Sequence, residues 1–202
     1  MKSILKDAWI LFAITAVAGV LLAVVNEVTK EPIARQKEAQ VSAACRAVFA
    51  DAAEFVPETA PAERPEYAAW QSEYPRDTVD EVYSARNAEG EPLGYVLNVT
   101  NKEGYGGNIR FSMGIRTDGT LNGVAILETA ETPGLGLQAE EVLVPQFADR
   151  KPEAQFVLVK GGGAAAENEV DAISSATITT KAFVNGVNAG MAYYHAVYGR
   201  AK

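Results

Sequence analysis

The chain has 202 residues, an apolar fraction of 48% and a formal net charge of −8 at pH 7. An acidic chain without a basic stripe is excluded as a nucleic-acid binder, because phosphate contacts need clustered Lys and Arg. One cysteine (Cys45) and one histidine (His195) exclude an internal disulfide, a Cys/His metal centre and iron–sulfur clusters, so any redox chemistry rests on an organic cofactor.

Residues 8–25, AWILFAITAVAGVLLAVV, carry no charge. Eighteen helical residues span roughly 27 Å, close to the hydrocarbon thickness of a bilayer. Trp9 sits where an interfacial aromatic anchor belongs. The apolar run is long for a cleaved signal peptide, and no small-x-small cleavage site follows it. Residues 1–30 are therefore read as a single transmembrane anchor. Lys2 and Lys6 on one flank nearly balance Lys30, Arg35 and Lys37 on the other, so charge leaves the orientation open.

Residues 31–56 continue in helical register as a connector, with Ile33, Val41, Cys45, Val48 and Phe49 on one face. Cys45 reads as an inert, partly buried helix residue. Three prolines between 57 and 65 mark a loop and open the soluble domain, residues 57–202. Strands are predicted over 79–87, 94–100, 109–117 and 121–128. Asp118-Gly119 supplies a hairpin signal between the last two. Short turns between successive strands imply an antiparallel sheet. Residues 138–150 read as a helix broken at Pro145, residues 155–160 as a strand and residues 161–168 as a small-residue linker. A last helix, 179–198, carries Phe183, Val187, Met191, Tyr194 and Tyr198 at helical spacing. The fold class is α+β: a transmembrane helix, then one domain with an antiparallel sheet and flanking helices.

Just before that helix, residues 174–180 hold five hydroxyls in seven positions. One reading is an N-cap, with Ser and Thr satisfying the free N–H groups of the first turn. The other is an anion site, since a helix start offers unpaired N–H groups and the positive end of the dipole. In that reading Thr177 holds a phosphate covalently, with Ser174 and Ser175 as neighbouring donors. Small side chains at Ser175 and Ala176 let a bulky group approach.

The run Asp171-Ala172-Ile173-Ser174-Ser175-Ala176-Thr177 resembles the flavinylation motif D-x-x-[S/T]-G-A-T of the FMN-binding domain family. That family includes RnfG of the Rnf complex and a related component of the sodium-pumping NADH:quinone reductase. The length of this chain is closer to the former. Asp171, Ser174 and Ala176 match fixed positions, whereas Ser175 stands where the family usually has Gly, which adopts backbone angles Ser rarely does. Glu131-Thr132-Pro133-Gly134-Leu135-Gly136 resembles the family's ETPGLG loop, and Tyr105-Gly106-Gly107-Asn108-Ile109 its GY-G-x-I segment.

The resemblance implies FMN esterified through its phosphate to Thr177. It implies ring contacts from Glu131, Thr132, Leu135 and Tyr105, with Gly134 and Gly136 admitting backbone N–H groups to the ring edge. It further implies a single-pass protein of the cell (inner) membrane with its domain on the extracytoplasmic side. The partners implied are the other subunits of an Rnf-type complex, which couples ferredoxin/NAD electron transfer to Na⁺ or H⁺ translocation. A flavin transferase using FAD would install the cofactor. No complete site for a small substrate is visible, so the chain reads as an electron-transfer subunit that is not catalytic alone. The alternatives are a free-standing tethered flavin reductase and a cofactor-free anchored binding domain.

Overall fold

The computed structural model describes residues 2–199. The chain divides into two compact units, residues 1–40 and 41–202. The first is helical. Helix α1, Lys2–Val48, begins in this unit, and its stretch from Ile4 is long and apolar enough to cross a membrane. Its large apolar side chains, from Ile4 to Ile33, are exposed, as a lipid-facing surface requires. Trp9 and Phe12 meet edge to face at 5.7 Å. Pro32 lies inside the helix, next to the exposed i,i+4 pair of Glu31 and Arg35.

The second unit is built on a five-stranded antiparallel meander: β1 (Glu54–Pro57), β2 (Asp77–Arg86), β3 (Pro92–Asn101), β4 (Ile109–Arg116) and β5 (Leu121–Thr129), in that spatial order. The predicted strands are present, with Asp118-Gly119 in the β4–β5 turn and Gly119 at φ +87°. Between β1 and β2 lies α2, Tyr67–Glu73. After β5 come α3 (Ala139–Val142), then β6 (Val157–Val159) and β7 (Glu169–Asp171), and finally α4 (Thr177–Val197).

Period-two alternation assigns the two faces of the sheet. Val99, Phe111, Met113 and Ile115 point to the side covered by α4, where Phe183, Val187 and Tyr194 join the same buried cluster. The helix lies close against the strands because Gly190 faces them. A Cβ there would stand 2.1 Å from Met113 Sδ and 3.2 Å from Val99 Cγ2. The Trp70 indole N–H of α2 donates to the Ala189 carbonyl at 2.9 Å and ties α2 to α4. On the opposite face, Cys45, Val48 and Phe49 at the end of α1 pack with Ala85 and Val96. Burial there pushes the Cys45 thiol up to about 11, so it stays protonated at neutral pH and is a poor nucleophile.

Three elements differ from the sequence expectation. The connector helix stops at Val48 instead of running to residue 56, and Glu54–Pro57 is extended. That segment gains a ladder against β2, with Glu54 opposite Arg86 and Pro57 opposite Tyr83. Proline is tolerated there because the strand is at the sheet edge. Within 138–150 only four residues are α-helical, flanked by 3-10 turns at Gly136–Gln138 and Val144–Phe147, with Pro145 in the second. β6 and β7 pair in parallel, apart from the antiparallel sheet.

Asp77, at the start of β2, is 4% exposed and accepts a bond from Asn101 Nδ2 at 2.7 Å. Burial raises its carboxyl from 3.8 to about 6. Between these values the folded state binds more protons than the unfolded state, so stability falls as pH rises from about 4 to 6. The expected loss is about 2–3 kcal/mol. Denaturant melts across this window should show the slope, and Asp77→Asn should flatten it. An equal slope in both proteins would contradict the assignment.

Candidate functional site

Topology brings three segments to one end of the sheet. The β3–β4 loop (residues 102–108) and the segment after β5 (residues 130–138) leave from the end where Ile109 pairs with Asn101 and Thr129. Helix α4 starts at the same end. Its Gly190 lies beside Met113 and Val99, and one turn earlier its Gly186 lies beside Phe111 and Asn101, nearer the strand ends.

Glu131 joins the three. It is 5% exposed, and its two carboxylate oxygens accept from different segments. The Gly106 N–H donates to Oε1 at 3.2 Å, and the Thr179 hydroxyl donates to Oε2 at 2.8 Å. Gly136 completes the packing around this carboxylate. A Cβ on it would stand 2.6 Å from Glu131 Oε2 and 2.8 Å from Thr179 Oγ1.

The three segments enclose a cavity of about 490 Å³, lined by Tyr105, Glu131, Thr132, Leu135, Gly136, Ser175, Ala176, Thr177, Ile178 and Thr179. That is the size range of cofactor pockets. Eight of the eleven residues singled out from the sequence line it. Asp171, Ser174 and Gly134 lie outside the lining. Asp171 is in β7, where its carboxylate accepts from the Ala164 N–H at 2.9 Å and holds the glycine-rich segment before it. Gly134, at φ +74°, shapes the turn of its loop. Ile178 and Thr179 were not among the eleven. Ile178 is 56% exposed. It falls off the apolar stripe of Phe183, Val187 and Met191, and an apolar residue out of register at a helix start was the available signal.

The five hydroxyls separate by burial. Thr179 and Thr180 are buried, Thr179 bonded to Glu131 and Thr180 to the Ala176 carbonyl at 2.9 Å. Ser174, Ser175 and Thr177 are exposed. The N-cap position is Ala176, and no side-chain hydrogen bond caps the helix. The capping reading of this segment is thereby overturned. Thr177 is the first helical residue, two positions earlier than the sequence suggested, and its side chain is at the cavity wall.

An uncapped start to a 21-residue helix leaves first-turn N–H groups and the positive dipole end available to an anion. The cavity beside it has no exposed charged side chain in its lining, since Glu131 is buried and bonded. This arrangement fits a phosphate at the helix start with an uncharged, planar apolar group beside Tyr105, Leu135 and Ile178.

Ser175 has φ +64°, in the left-handed region. That conformation costs a non-glycine residue roughly 1–2 kcal/mol, partly offset in glycine by its greater unfolded-state entropy. Ser175→Gly should stabilise the fold by about 0.5–1 kcal/mol, raising Tm by about 2 °C. A lowered Tm would show that the Ser175 side chain contributes a contact worth more than the strain.

An FMN-binding domain model matches residues 104–192, spanning all three cavity segments, and an RnfG N-terminal region model matches residues 1–48. The chain is 36% identical over 195 residues to the G subunit of the Na⁺-translocating ferredoxin:NAD⁺ oxidoreductase complex of Acetobacterium woodii, covering 96% of this chain and 92% of that one. It is 32% identical to the G subunit of the ion-translocating oxidoreductase complex of Methanosarcina acetivorans, covering 98% of each chain. It is also 32% identical to the corresponding protein of Escherichia coli, covering 93% of this chain and 89% of that one. The fold is similar to crystal structures of NqrC from Shewanella oneidensis (TM-score 0.52, 23% identity, 59% of each chain) and of the C subunit of Na⁺-translocating NADH-quinone reductase from Parabacteroides distasonis (TM-score 0.50, 20% identity, 75% of this chain and 79% of that one). With a cavity at an uncapped helix start inside a matched FMN-binding domain, behind a matched N-terminal region and with near full-length relatives, the chain belongs to the RnfG family of ion-translocating oxidoreductase complexes.

Proposed function

We propose that this chain is a membrane-anchored, FMN-binding electron-transfer subunit of an Rnf-type ion-translocating oxidoreductase complex, with FMN esterified through its phosphate to Thr177 Oγ1. The observation that carries the reading is Thr177, exposed at an uncapped helix start and lining a cavity of about 490 Å³. FMN bound there would supply a centre that accepts electrons in pairs and releases them singly.

The residues divide the work. Thr177 holds the phosphate, and the first turn of α4 offsets its charge with N–H groups and the helix dipole. Tyr105, Leu135 and Ile178 would offer apolar surface to the ring, and Thr132 would offer a hydroxyl. Glu131 positions the site through Gly106 and Thr179. Attachment needs a flavin transferase using FAD. The Thr177 oxygen would bond to the flavin-side phosphorus of FAD as the FAD pyrophosphate bond breaks, with AMP as the leaving group and the hydroxyl proton released. The domain acts on the extracytoplasmic side, relays electrons between other subunits of the complex and is not catalytic alone. Relatives named as parts of a complex favour this reading over a free-standing flavin reductase.

The test is in-gel flavin fluorescence after SDS denaturation of the chain co-expressed with a flavin transferase. A bright band at the chain's mass is expected. A dark band would overturn the covalent assignment.

A further inference from the structure

Asp77 and the base of the β3–β4 loop share a second cleft, of about 220 Å³, which has no lining residue in common with the cavity at Thr177. Asp77 Oδ1 accepts from Asn101 Nδ2 at 2.7 Å. The same amide accepts through its own oxygen from the Glu103 N–H at 2.8 Å. The Lys102 N–H donates to the Arg76 carbonyl at 2.9 Å. Asn101 is fully buried, and Gly186 of α4 packs against it. Glu103 lines the cleft with Asp77, and its carboxylate accepts from Asn185 Nδ2 of α4 at 3.1 Å. Two residues further on, Tyr105 lines the cavity, and the Gly106 N–H donates to Glu131. The loop is thus pinned at its base beside Asp77 and at its tip by Glu131.

Asp77 is poorly placed to carry a charge. It is 4% exposed, makes no ion pair among the described residues and accepts one side-chain hydrogen bond. A buried carboxylate needs several donors or a cation to offset its lost hydration. Around the cleft, α2 and the turn after it contribute Glu73, Tyr74 and Arg76, and the loop contributes Glu103. From α4 and the segment before β6 come only the uncharged amides of Asn185, Asn188 and Gln155. Burial is the largest influence and raises the Asp77 carboxyl to about 6. Glu103 adds to this, while the Asn101 bond and Lys102 act against it. The proton is therefore held more tightly when the loop base encloses Asp77 than when the loop lifts and water reaches the carboxyl. By linkage, protonation favours the enclosed arrangement and ionisation the lifted one.

We propose that Asp77 is a proton-linked positioning residue for the β3–β4 loop: protonated, it holds the loop base and with it the Tyr105 wall of the cavity, and its ionisation beside Glu103 loosens both. The link to a flavin rests on the reading above, whereas the link from Asp77 to the loop is a property of the chain itself. A group outside the cavity then makes one cavity wall respond to pH. The opening is local, since Glu131 still anchors the loop tip.

The experiment uses the full chain in detergent. Without a flavin transferase, hydrogen–deuterium exchange of residues 102–108 is followed between about pH 5 and about pH 7.5, and each rate is divided by the intrinsic rate at that pH. Corrected exchange of the loop should rise about fivefold across this range in the parent and stay at its low value in Asp77→Asn. Glu103→Gln should respond less than the parent, because it removes the like charge. Residues 121–129 of β5 should change less than the loop. A loop that does not respond, a response that persists in Asp77→Asn, or an equal change in β5 would each overturn the proposal. With flavin attached by co-expression, emission of the native chain should shift over the same range in the parent and stay flat in Asp77→Asn. Flat emission from a parent whose SDS-denatured band is bright would overturn the link to the cavity. A dark parental band defeats the flavin reading instead, and the exchange data decide the role of Asp77 without it.

Discussion

Thr177→Ala leaves the SDS-denatured band dark after co-expression with a flavin transferase, while Thr177→Ser keeps fluorescence. The loss should be complete rather than partial, because the other hydroxyls of the segment cannot substitute. Thr179 is 3% exposed and its hydroxyl donates to Glu131, and Thr180 is fully buried and bonded to the Ala176 carbonyl. Either would have to break a buried bond, at about 1–3 kcal/mol, before reaching a phosphorus. Ser174 is exposed but lies outside the cavity lining. Ser175 lines the cavity, yet it precedes the helix, where first-turn N–H groups are less well aimed to bind the phosphate. Serine at 177 keeps the oxygen at the same backbone position and loses only a methyl. Persistent fluorescence in Thr177→Ala would move the attachment to Ser175, and Thr177→Ala/Ser175→Ala would then be the deciding chain.

Much of this site was legible in the sequence because it is local. The hydroxyl run, the ETPGLG loop and the GYGG segment are each contiguous, and each forms one wall of the cavity. What was not legible depends on contacts between distant residues. Glu131 reads as a ring contact when its loop is considered alone. Its carboxylate is instead engaged by Gly106, 25 residues before it, and Thr179, 48 residues after it. The short strands β1 and β7 are extended because of partners found only in the folded chain, Arg86 to Tyr83 for β1 and Val157 to Val159 for β7. α2 is a seven-residue helix directly after a proline-rich loop, too short for a periodic signal, and is fixed by Trp70 reaching α4. The Ser175 departure from the family's usual Gly was visible as a mismatch. Its left-handed backbone gives that mismatch a physical meaning.

Glu131→Ala is the substitution expected to cost most in stability, about 4 kcal/mol. Bonds to a charged acceptor contribute roughly 1.5–3 kcal/mol each, and this carboxylate accepts two. Its removal also leaves the buried Thr179 hydroxyl and the Gly106 N–H without their acceptor, in a space that Gly136 fits closely around the lost side chain. At two to four degrees per kcal/mol for a chain of this size, Tm should fall by about 10 °C. Glu131→Gln keeps one carbonyl acceptor and the side-chain volume, so it should cost about half as much. The site should suffer beyond its stability, because the same carboxylate holds the start of α4 against the two loops. Flavin attached per folded chain should drop in Glu131→Ala even below its melting range, whereas Ser175→Gly should leave no such deficit. A Glu131→Ala melt within about 1 °C of the parent would show that the carboxylate is not the joint between the three segments.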